Sequence, residues 1–314
     1  MARMDSANVE RFEANRDRLA SLAYRLLGSA AEAEDAVQDT FLRWHAADRE
    51  HIEIPEAWLT KVVTNLSLDR LRSAKMRRER AVGDWLPEPL LDGDPMLGPA
   101  DTVEQRESVT LAVLTLMERL TPVERAVYVL REAFSYSHAE IAEILDITES
   151  ASQQHAHRAR RRVAVAHTVS EVDRSSARRI VEAFVDAASS GRTERLVALL
   201  TDDATAISDG AGQTRKLLRY SVPEQIASAM RAAFKPTPAK RKLVGGSPAM
   251  HAGVINGCPA IIAAIEERVV GVVVLDVRGG KVAAVRGVAD PDRLGRVTER
   301  WRRRERDDSF IQSW

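Results

Sequence analysis

Two helix-start motifs constrain the fold of this chain more than any other feature of its sequence. Thr121–Glu124 and Ser137–Glu140 each place a hydroxyl at the N-cap and a carboxylate three residues later, which satisfies the free amides of a helix start. The helix that Ser137 opens stops near Asp146, and Thr148 caps the next helix directly afterwards. Two helices joined by so short a break predict a helix-turn-helix.

The helix after this turn has one face of small residues and one face of hydrogen-bonding residues. Helical spacing predicts four inward residues, namely Ser152, Ala156, Ala159 and Val163. The outward residues are Ser150, Gln153, Gln154, His157, Arg158 and Arg161. Amides and arginines on such a face bind adenine and guanine edges in the DNA major groove, and arginines near the far end suit phosphates. Residues 106–168 are therefore predicted to read DNA, although capped helices with a basic end also occur without DNA.

Residues 8–80 predict a second helical unit, in which the charges are sorted by sign. Apolar residues recur at helical spacing from Leu19 to Leu27 and from Ala36 to Trp44. The stretch 32–39 has acids and no base, whereas 61–80 contains seven lysines or arginines and two acids. A basic helix suits a phosphate backbone, and an acidic helix suits a basic protein partner. The alternative is that both stretches are only solvated faces.

Together these segments resemble the extracytoplasmic-function (ECF) sigma factors of bacterial RNA polymerase. Asp35–Leu42 resembles their polymerase-binding helix, Pro55–Arg72 resembles their promoter −10 helix, and Leu120–Arg162 is similar to their region 4. The matches cover about half of the chain, in the order and at the spacing of the family. The resemblance implies an alternative sigma factor that binds core RNA polymerase and directs transcription initiation from specific promoters.

The resemblance also implies roles for individual residues. The contacts to the clamp of the largest polymerase subunit would come from Asp35, Gln38, Asp39 and Phe41. Region 4 would contact the flap of the second subunit, and the loop 46–56 would capture a flipped base of the −10 element. The path of that DNA strand would be lined by Lys61, Asn65, Asp69 and Arg72. Ser152 and Ala156 are smaller than the residues usual in the family, which leaves the −35 preference open.

A linker at residues 81–105 separates the two helical units. Its stretch 82–100 has four prolines and three glycines, which predict an extended segment rather than a helix or a strand. Within it, Trp85-Leu86-Pro87-Glu88-Pro89 carries large apolar side chains in a stiff segment, as suits a docking peptide that loses little entropy on binding. Folding of the tryptophan back onto region 2 is the alternative.

Residues 175–294 change to a mixed pattern. Helices are predicted over 176–189, 191–200 and 222–234. Strands are predicted at 204–208, 241–245, 250–255, 260–266, 269–278 and 281–289, with hairpin turns at Asn256-Gly257 and Gly279-Gly280. Helices followed by a curved antiparallel sheet predict an α+β cone, which resembles the SnoaL-like branch of the NTF2-like fold. The expected fold is thus multi-domain, with all-α sigma regions 2 and 4 followed by this cone.

The resemblance extends to a group of ECF sigma factors that carries such a cone. The linker motif of that group is intact here, whereas Asp209–Gln213 and Asp290–Leu294 are variants of its Asp-Gly-Gly-Gly-Lys and Asn-Pro-Asp-Lys-Leu motifs. The resemblance implies regulation in cis, in place of an anti-sigma protein, through contacts of the cone with regions 2 and 4 and the linker. The implied interface residues are Trp85, Leu86, Pro87, Glu88, Pro89, Asp209, Gly210, Gly212, Asp290, Pro291 and Asp292.

Two other kinds of function stay open. SnoaL-like relatives use an acid or a base in an apolar cavity, and the candidates here are Asp202, Asp209, Arg219 and His251. No spaced acid–base pair stands out, so we expect no enzyme, although a small regulatory ligand could occupy the cone. A helix-turn-helix repressor that acts without polymerase is the third alternative, and the acidic clamp-like helix argues against it.

The whole-chain composition restricts the setting. The 314 residues balance 46 bases against 46 acids, and Cys258 is the one cysteine, so no intrachain disulfide is expected and a reducing cytoplasm fits. Seven histidines without paired cysteines give no metal pattern, and no cofactor is expected. The longest apolar run, Val269–Leu275, is too short to span a membrane, and no export signal begins the chain. The basic tail 295–314 could contact DNA, fold onto the cone or remain a solvated helix.

Overall fold

The computed structural model describes residues 6–48, 51–80, 86–98, 102–163, 174–213, 216–304 and 308–313. The chain divides into two compact units. The first contains Met1–Ala81, Gly93–Val109 and Val113–His167, and the second contains Val82–Asp92, Thr110–Ala112 and Thr168–Trp314. In the described ranges, no helix is long and apolar enough to cross a membrane.

Helices make up most of the described part of residues 6–163. Three long helices come first: α1 (Ser6–Leu27), α2 (Ala30–Ala46) and α3 (Pro55–Arg80). Shorter helices follow: α4 (Val103–Glu107), α5 (Leu111–Met117), α6 (Pro122–Tyr128), α7 (His138–Leu145) and α8 (Glu149–Val163). α1 packs against α2 and α3, and its apolar residues between Leu19 and Leu27 are buried, which confirms the core predicted there.

Both predicted helix starts are confirmed, since each N-cap hydroxyl and each third-position carboxylate makes its predicted hydrogen bond. α7 ends at Asp146, which has a φ of 55°, and the Thr148 hydroxyl accepts a hydrogen bond from the Ala151 amide at 3.1 Å. The predicted helix-turn-helix is therefore formed by α7 and α8. A π-helical turn at Val129–Ala133 continues α6, and the sequence pattern does not indicate it.

The second unit contains a six-stranded sheet with the strand order β2-β1-β6-β5-β4-β3. The strands are β1 (Leu200–Ser208), β2 (Leu218–Tyr220), β3 (Ala249–Ile255), β4 (Cys258–Ile265), β5 (Arg268–Arg278) and β6 (Lys281–Val288). The helices are α9 (Arg174–Ser189), α10 (Thr193–Val197), α11 (Pro223–Phe234), α12 (Pro238–Val244) and α13 (Gly295–Arg302). The predicted hairpins at Asn256-Gly257 and Gly279-Gly280 are confirmed, and β4 also pairs with β5 in an antiparallel arrangement.

A buried apolar cluster fills the space between the helices and one face of the sheet. It includes Phe184 of α9, Phe234 of α11 and Leu275 of β5. Phe310 and Ile311 of the C-terminal tail pack against the same cluster. The interior of the predicted cone is thus occupied by side chains of the chain itself, and the aromatic end of the tail folds onto the cone.

Two expectations about this domain are wrong. The sheet is mixed rather than antiparallel, because β1 pairs in parallel with β6. Periodicity identifies strands but does not reveal which distant strand the first one joins. The strand expected at 241–245 is the end of α12, a helix that Thr237 caps, that Pro238 begins and that Gly245 ends with a φ of 86°.

Candidate functional site

The exposed face of α8 carries the residues predicted to read DNA. The six outward side chains are all exposed, and the four inward residues are all buried, as helical spacing predicts. Ser152 Oγ lies 2.9 Å from Nδ1 of His138 and so joins the two helices of the motif. The amide and arginine side chains of α8 therefore lie on the solvent-facing side of the helix, opposite its buried residues.

The basic end of α8 contains two kinds of arginine. Arg160 pairs with Glu132 at 2.7 Å, and Arg162 pairs with Glu124 at 2.6 Å. The side chain of Glu124 is only 4% exposed, so this ion pair is anchored in the domain. Arg158 and Arg161 lie on the exposed face of α8.

Glu124 links the N-cap of α6 to the C-terminal end of α8. Burial by itself would raise the pKa of the Glu124 carboxyl, but hydrogen bonds from Thr121 and the charges of Arg162 and His155 lower it below its ordinary value. The carboxylate is therefore held in its charged form, and it accepts hydrogen bonds from both the Thr121 amide and the Arg162 guanidinium.

The predicted clamp-binding residues lie on one side of α2. Asp35 and Gln38 are exposed, and Asp39 is paired with Arg70 of α3 at 2.5 Å. Phe41 is half-buried, with its ring centroid 4.9 Å from that of Phe12 in an edge-to-face arrangement. The next residue, Leu42, is 56% exposed, so an acidic and apolar surface is open to a partner.

The predicted −10 residues follow the surface of α3. Lys61, Asp69 and Arg72 are exposed, Asn65 is half-buried, and Asp69 pairs with Arg72 at 3.1 Å. The Nζ atom of Lys61 donates a hydrogen bond to the Glu143 carbonyl of α7 at 2.9 Å. The first unit therefore brings the −10 helix into contact with the helix-turn-helix, which sequence spacing does not reveal.

A buried arginine lies at the centre of this first unit. Arg25 of α1 donates to Ser108 Oγ at 3.0 Å, to the Leu97 carbonyl at 2.7 Å and to the Gln105 carbonyl at 3.3 Å. Burial lowers the pKa of Arg25 to about 10. Its position inside the apolar stretch of residues 22–27 is a sequence signal that could have identified it as a core residue.

A second arginine of α1, Arg18, joins regions 2 and 4. Arg18 hydrogen-bonds to Thr60 Oγ1 of α3 at 3.0 Å and to the hydroxyl of Tyr136, which lies between the π-helical turn and α7. The guanidinium carbons of Arg18 and Arg25 each lie 5.6 Å from the ring centroid of Phe134. Regions 2 and 4 are therefore joined by hydrogen-bonded and cation–π contacts.

Residues 86–92 of the linker are packed, and the linker departs from the expected extended segment at Pro95–Leu97, which forms a short 3₁₀ helix. Trp85 lies outside the described residues, so its predicted contact is not described. Leu86 and Leu90 are buried, and Leu90 makes two hydrogen bonds with Asn256. The Leu90 amide donates to Asn256 Oδ1 at 2.7 Å, and the Asn256 amide donates to the Leu90 carbonyl at 2.9 Å. Pro87, Glu88 and Pro89 lie between these two leucines.

The two variant motifs of the C-terminal domain meet beside the linker. The Asp209 carboxylate accepts hydrogen bonds from the Ala289 and Asp290 amides at 3.0 Å, and Gly212 faces Asp290. Arg293, which follows Pro291 and Asp292, lies 3.7 Å from Asp290 and hydrogen-bonds to the Leu86 carbonyl. This cation stands where the related motif has a lysine, a signal that could have identified it as a linker contact.

The candidate acid and base residues do not form one site. Asp202 of β1 and Arg219 of β2 are exposed, whereas His251 lies on β3, at the opposite edge of the sheet. The Asp209 carboxylate is occupied by backbone amides. Burial, followed by the charge of Asp276, raises the pKa of the Cys258 thiol. In the part of the chain that the structure describes, no group of three or more His, Cys, Asp or Glu residues could hold a metal ion.

The acidic stretch of α2, the basic stretch of α3 and the helix-turn-helix of α7 and α8 together fit a protein that recognises promoters with two separate regions. Residues 11–77 match the Sigma-70 region 2 family, and residues 110–163 match Sigma-70 region 4. The chain is 40% identical over 212 residues to the ECF RNA polymerase sigma factor SigJ of Mycobacterium tuberculosis H37Rv. This match covers 67% of this chain and 68% of the relative. It is 31% identical over 288 residues to the probable ECF sigma factor SigI of that organism, with 90% and 93% covered.

The crystal structure of Mycobacterium tuberculosis SigJ aligns with a TM-score of 0.68 and 30% identity, over 91% of this chain and 97% of that one. This chain therefore belongs to the ECF RNA polymerase sigma factors. As such it binds core RNA polymerase and promoter DNA and directs promoter-specific transcription initiation. The predicted family is confirmed by these relatives. The predicted fold class is confirmed as well, because the mixed six-stranded domain fits the SnoaL-like architecture. The relatives are sigma factors rather than enzymes.

Proposed function

We propose that α2 seats this sigma factor on the clamp of the largest polymerase subunit, through Asp35, Gln38, Asp39 and Phe41. Its exposed acids suit a basic partner, and Phe41 and Leu42 add apolar area that binding would bury. Region 4 contacts the flap of the second subunit in this proposal. Lys61, Asn65, Asp69 and Arg72 of α3 then line the −10 strand, with the loop 46–56 beside it.

For the −35 element, we propose a division of labour along α8. Ser150, Gln153, Gln154 and His157 face the bases, and Arg158 and Arg161 bind phosphates. Arg160 and Arg162 are positioning residues, because each neutralises a carboxylate that is mostly buried. Removing either of them would leave Glu132 or Glu124 without its cationic partner.

Alanine substitutions in this run of arginines should separate the two roles. We expect Arg158→Ala and Arg161→Ala each to lower the slope of log affinity against log salt by about 1, because each removes one phosphate contact. Arg160→Ala and Arg162→Ala should leave that slope nearly unchanged and lower the melting temperature instead. The measurement is promoter binding by the holoenzyme over a series of salt concentrations. A slope change at Arg160 equal to that at Arg158 would contradict this division.

We infer that the C-terminal domain regulates this sigma factor in cis by holding the linker. The observation that carries this inference is the pair of hydrogen bonds between Leu90 and Asn256, whose side chain is fully buried. The linker connects regions 2 and 4, so holding residues 86–92 restricts the paths available to the chain between the −10 and −35 readers. Contacts of the C-terminal domain with regions 2 and 4 belong to the same proposal.

Releasing the linker should therefore broaden the tolerance for promoter spacing. Asn256→Gly removes the side-chain acceptor but keeps the left-handed turn, because glycine adopts the observed φ of 50° without strain. We expect transcription by this variant to discriminate less between spacers that differ in single-base-pair steps, by about threefold. Run-off transcription with core polymerase on a spacer series measures this. A spacing profile identical to that of the parent would exclude linker control.

A small ligand remains a second candidate for the C-terminal domain, supported by one groove. It has a volume of about 670 Å³ and lies among the ends of α9 and α11 and the C-terminal tail. Arg231 and Lys235 give it positive charge, and Phe234 and Ile311 give it an apolar wall. The absence of a converging acid–base pair among the candidate residues favours binding over catalysis. A titration of the full chain with small carboxylates, read by melting temperature, tests the groove.

A further inference from the structure

Strand β3 is an edge strand of the sheet, because the strand order ends with β5-β4-β3. An edge strand presents backbone amides and carbonyls with which another extended segment can pair. Two segments from distant parts of this chain pair with the free side of β3. One belongs to the linker, and the other is the part of the C-terminal tail that comprises residues 308–313.

The linker occupies the C-terminal end of β3. Leu91 forms an antiparallel bridge with Ile255, and the Asp92 amide donates to the Val254 carbonyl at 3.0 Å. The two hydrogen bonds between Leu90 and Asn256 extend this pairing into the β3–β4 turn. The linker thus pairs with β3 through its backbone, and the Leu90 and Leu91 side chains are buried.

The tail occupies the N-terminal end of the same strand. The Met250 amide donates to the Ile311 carbonyl at 2.8 Å, and the Phe310 amide donates to the Met250 carbonyl at 3.0 Å. This bridge is also antiparallel. The side chains of Phe310 and Ile311 are half-buried against the apolar cluster of the domain. The described tail residues 308–313 are held on β3 by these backbone hydrogen bonds and by two half-buried side chains, whereas β4 pairs with β3 along its length.

The segment that leads to the tail contacts the linker and β3 along its course. At its start, Arg293 donates a hydrogen bond to the Leu86 carbonyl. In its middle, the ring of Trp301 in α13 lies edge-on to that of His251 in β3, with centroids 5.0 Å apart. At its end, Ile311 pairs with Met250. The described residues 290–304 and 308–313 therefore touch both the linker and the strand on which the linker is bound.

We propose that residues 290–304 and 308–313 act as a C-terminal strap that completes the linker site, so that binding of the tail and binding of the linker to β3 stabilise each other. Pairing at one end of a seven-residue strand orders its backbone. The second segment to bind then loses less conformational entropy. The function of the strap depends on the linker control proposed above, whereas the coupling itself is a property of the domain.

Hydrogen exchange on the full chain tests the coupling. Ile311→Asp places a charge against the apolar cluster and should release the tail, whereas Gln312→Asp alters an exposed neighbour and serves as the control. We expect Ile311→Asp to speed exchange of the Met250 amide by about tenfold or more, and of the linker amides in residues 86–92 by about threefold. Faster exchange at Met250 with parent-like exchange in the linker would overturn the proposal.

The coupling must also act in the opposite direction, because linkage between two binding events is reciprocal. Asn256→Gly, which weakens the linker site, should therefore speed exchange of the Met250 amide, by no more than the factor by which full release of the tail speeds exchange in the linker. Unchanged exchange at Met250 in this variant would overturn the strap. Coupled exchange together with an unaltered promoter-spacing profile would keep the strap and reject the linker control.

Discussion

Arg25→Ala is expected to lower the free energy of unfolding by on the order of 4 kcal/mol, the largest effect of any single substitution considered for this protein. The guanidinium is fully buried, and its removal leaves the Leu97 and Gln105 carbonyls and the Ser108 hydroxyl without this donor. Leu97 and Gln105 belong to the linker between regions 2 and 4, and Ser108 lies at the start of region 4. Chemical denaturation of the full chain measures the loss.

The matched control for this variant is Arg43→Ala, which removes an exposed arginine from α2. It should change the free energy of unfolding by no more than about 0.5 kcal/mol. Since burial lowers the pKa of Arg25 only to about 10, the residue stays charged at neutral pH. Between about pH 10 and the higher, ordinary pKa of arginine, the unfolded chain binds more protons at this site than the folded chain, so stability rises with pH in that range. A decrease in the free energy of unfolding below about 1 kcal/mol for Arg25→Ala would contradict the stabilising role of the Arg25 hydrogen bonds.

Asp35→Lys is expected to reduce the affinity for core polymerase by about tenfold or more. The proposed partner surface is basic, and a lysine at this exposed position of α2 would replace attraction with like-charge repulsion. Because Asp35 lies on the surface, the substitution should leave folding intact. Binding of the full chain to purified core polymerase measures the effect, and the rate of run-off transcription should fall in parallel.

Asp17→Lys provides the control for charge, since Asp17 is an exposed acid of α1 outside the proposed clamp surface. It makes the same change in net charge and should leave the affinity within about twofold of the parent. An equal loss of affinity in both variants would mean that overall charge, rather than a surface on α2, determines binding. Parent-like binding by Asp35→Lys would reject the clamp contact.

The helix-turn-helix could be predicted because its signals are local. Caps at Thr121 and Ser137, and the spacing of small residues in α8, act within a few residues of one another. The contacts of Lys61 with Glu143 and of Arg25 with Ser108 join residues about 80 positions apart. Helical periodicity does not contain that information, so the joint between regions 2 and 4 required the structure.

The C-terminal domain shows the same limit. The tight turns Asn256-Gly257 and Gly279-Gly280 predicted the β3–β4 and β5–β6 hairpins, because turn geometry sets the pairing of adjacent strands. The parallel pairing of β1 with β6 depends on strands far apart in the sequence. α12 was expected to be a strand because a short run carries little periodicity. Asn256 was expected only as a turn residue, yet its amide group also binds the linker.

Run-off transcription with purified core polymerase and the full chain is the most direct test of the sigma-factor role and of the proposed contacts. The promoters would be selected from random DNA by the holoenzyme. We predict transcripts only when both core polymerase and this chain are present, and a loss of transcripts with Asp35→Lys but not with Asp17→Lys. Binding of the chain to DNA without binding to core polymerase, and without any transcript, would contradict that role and favour a repressor.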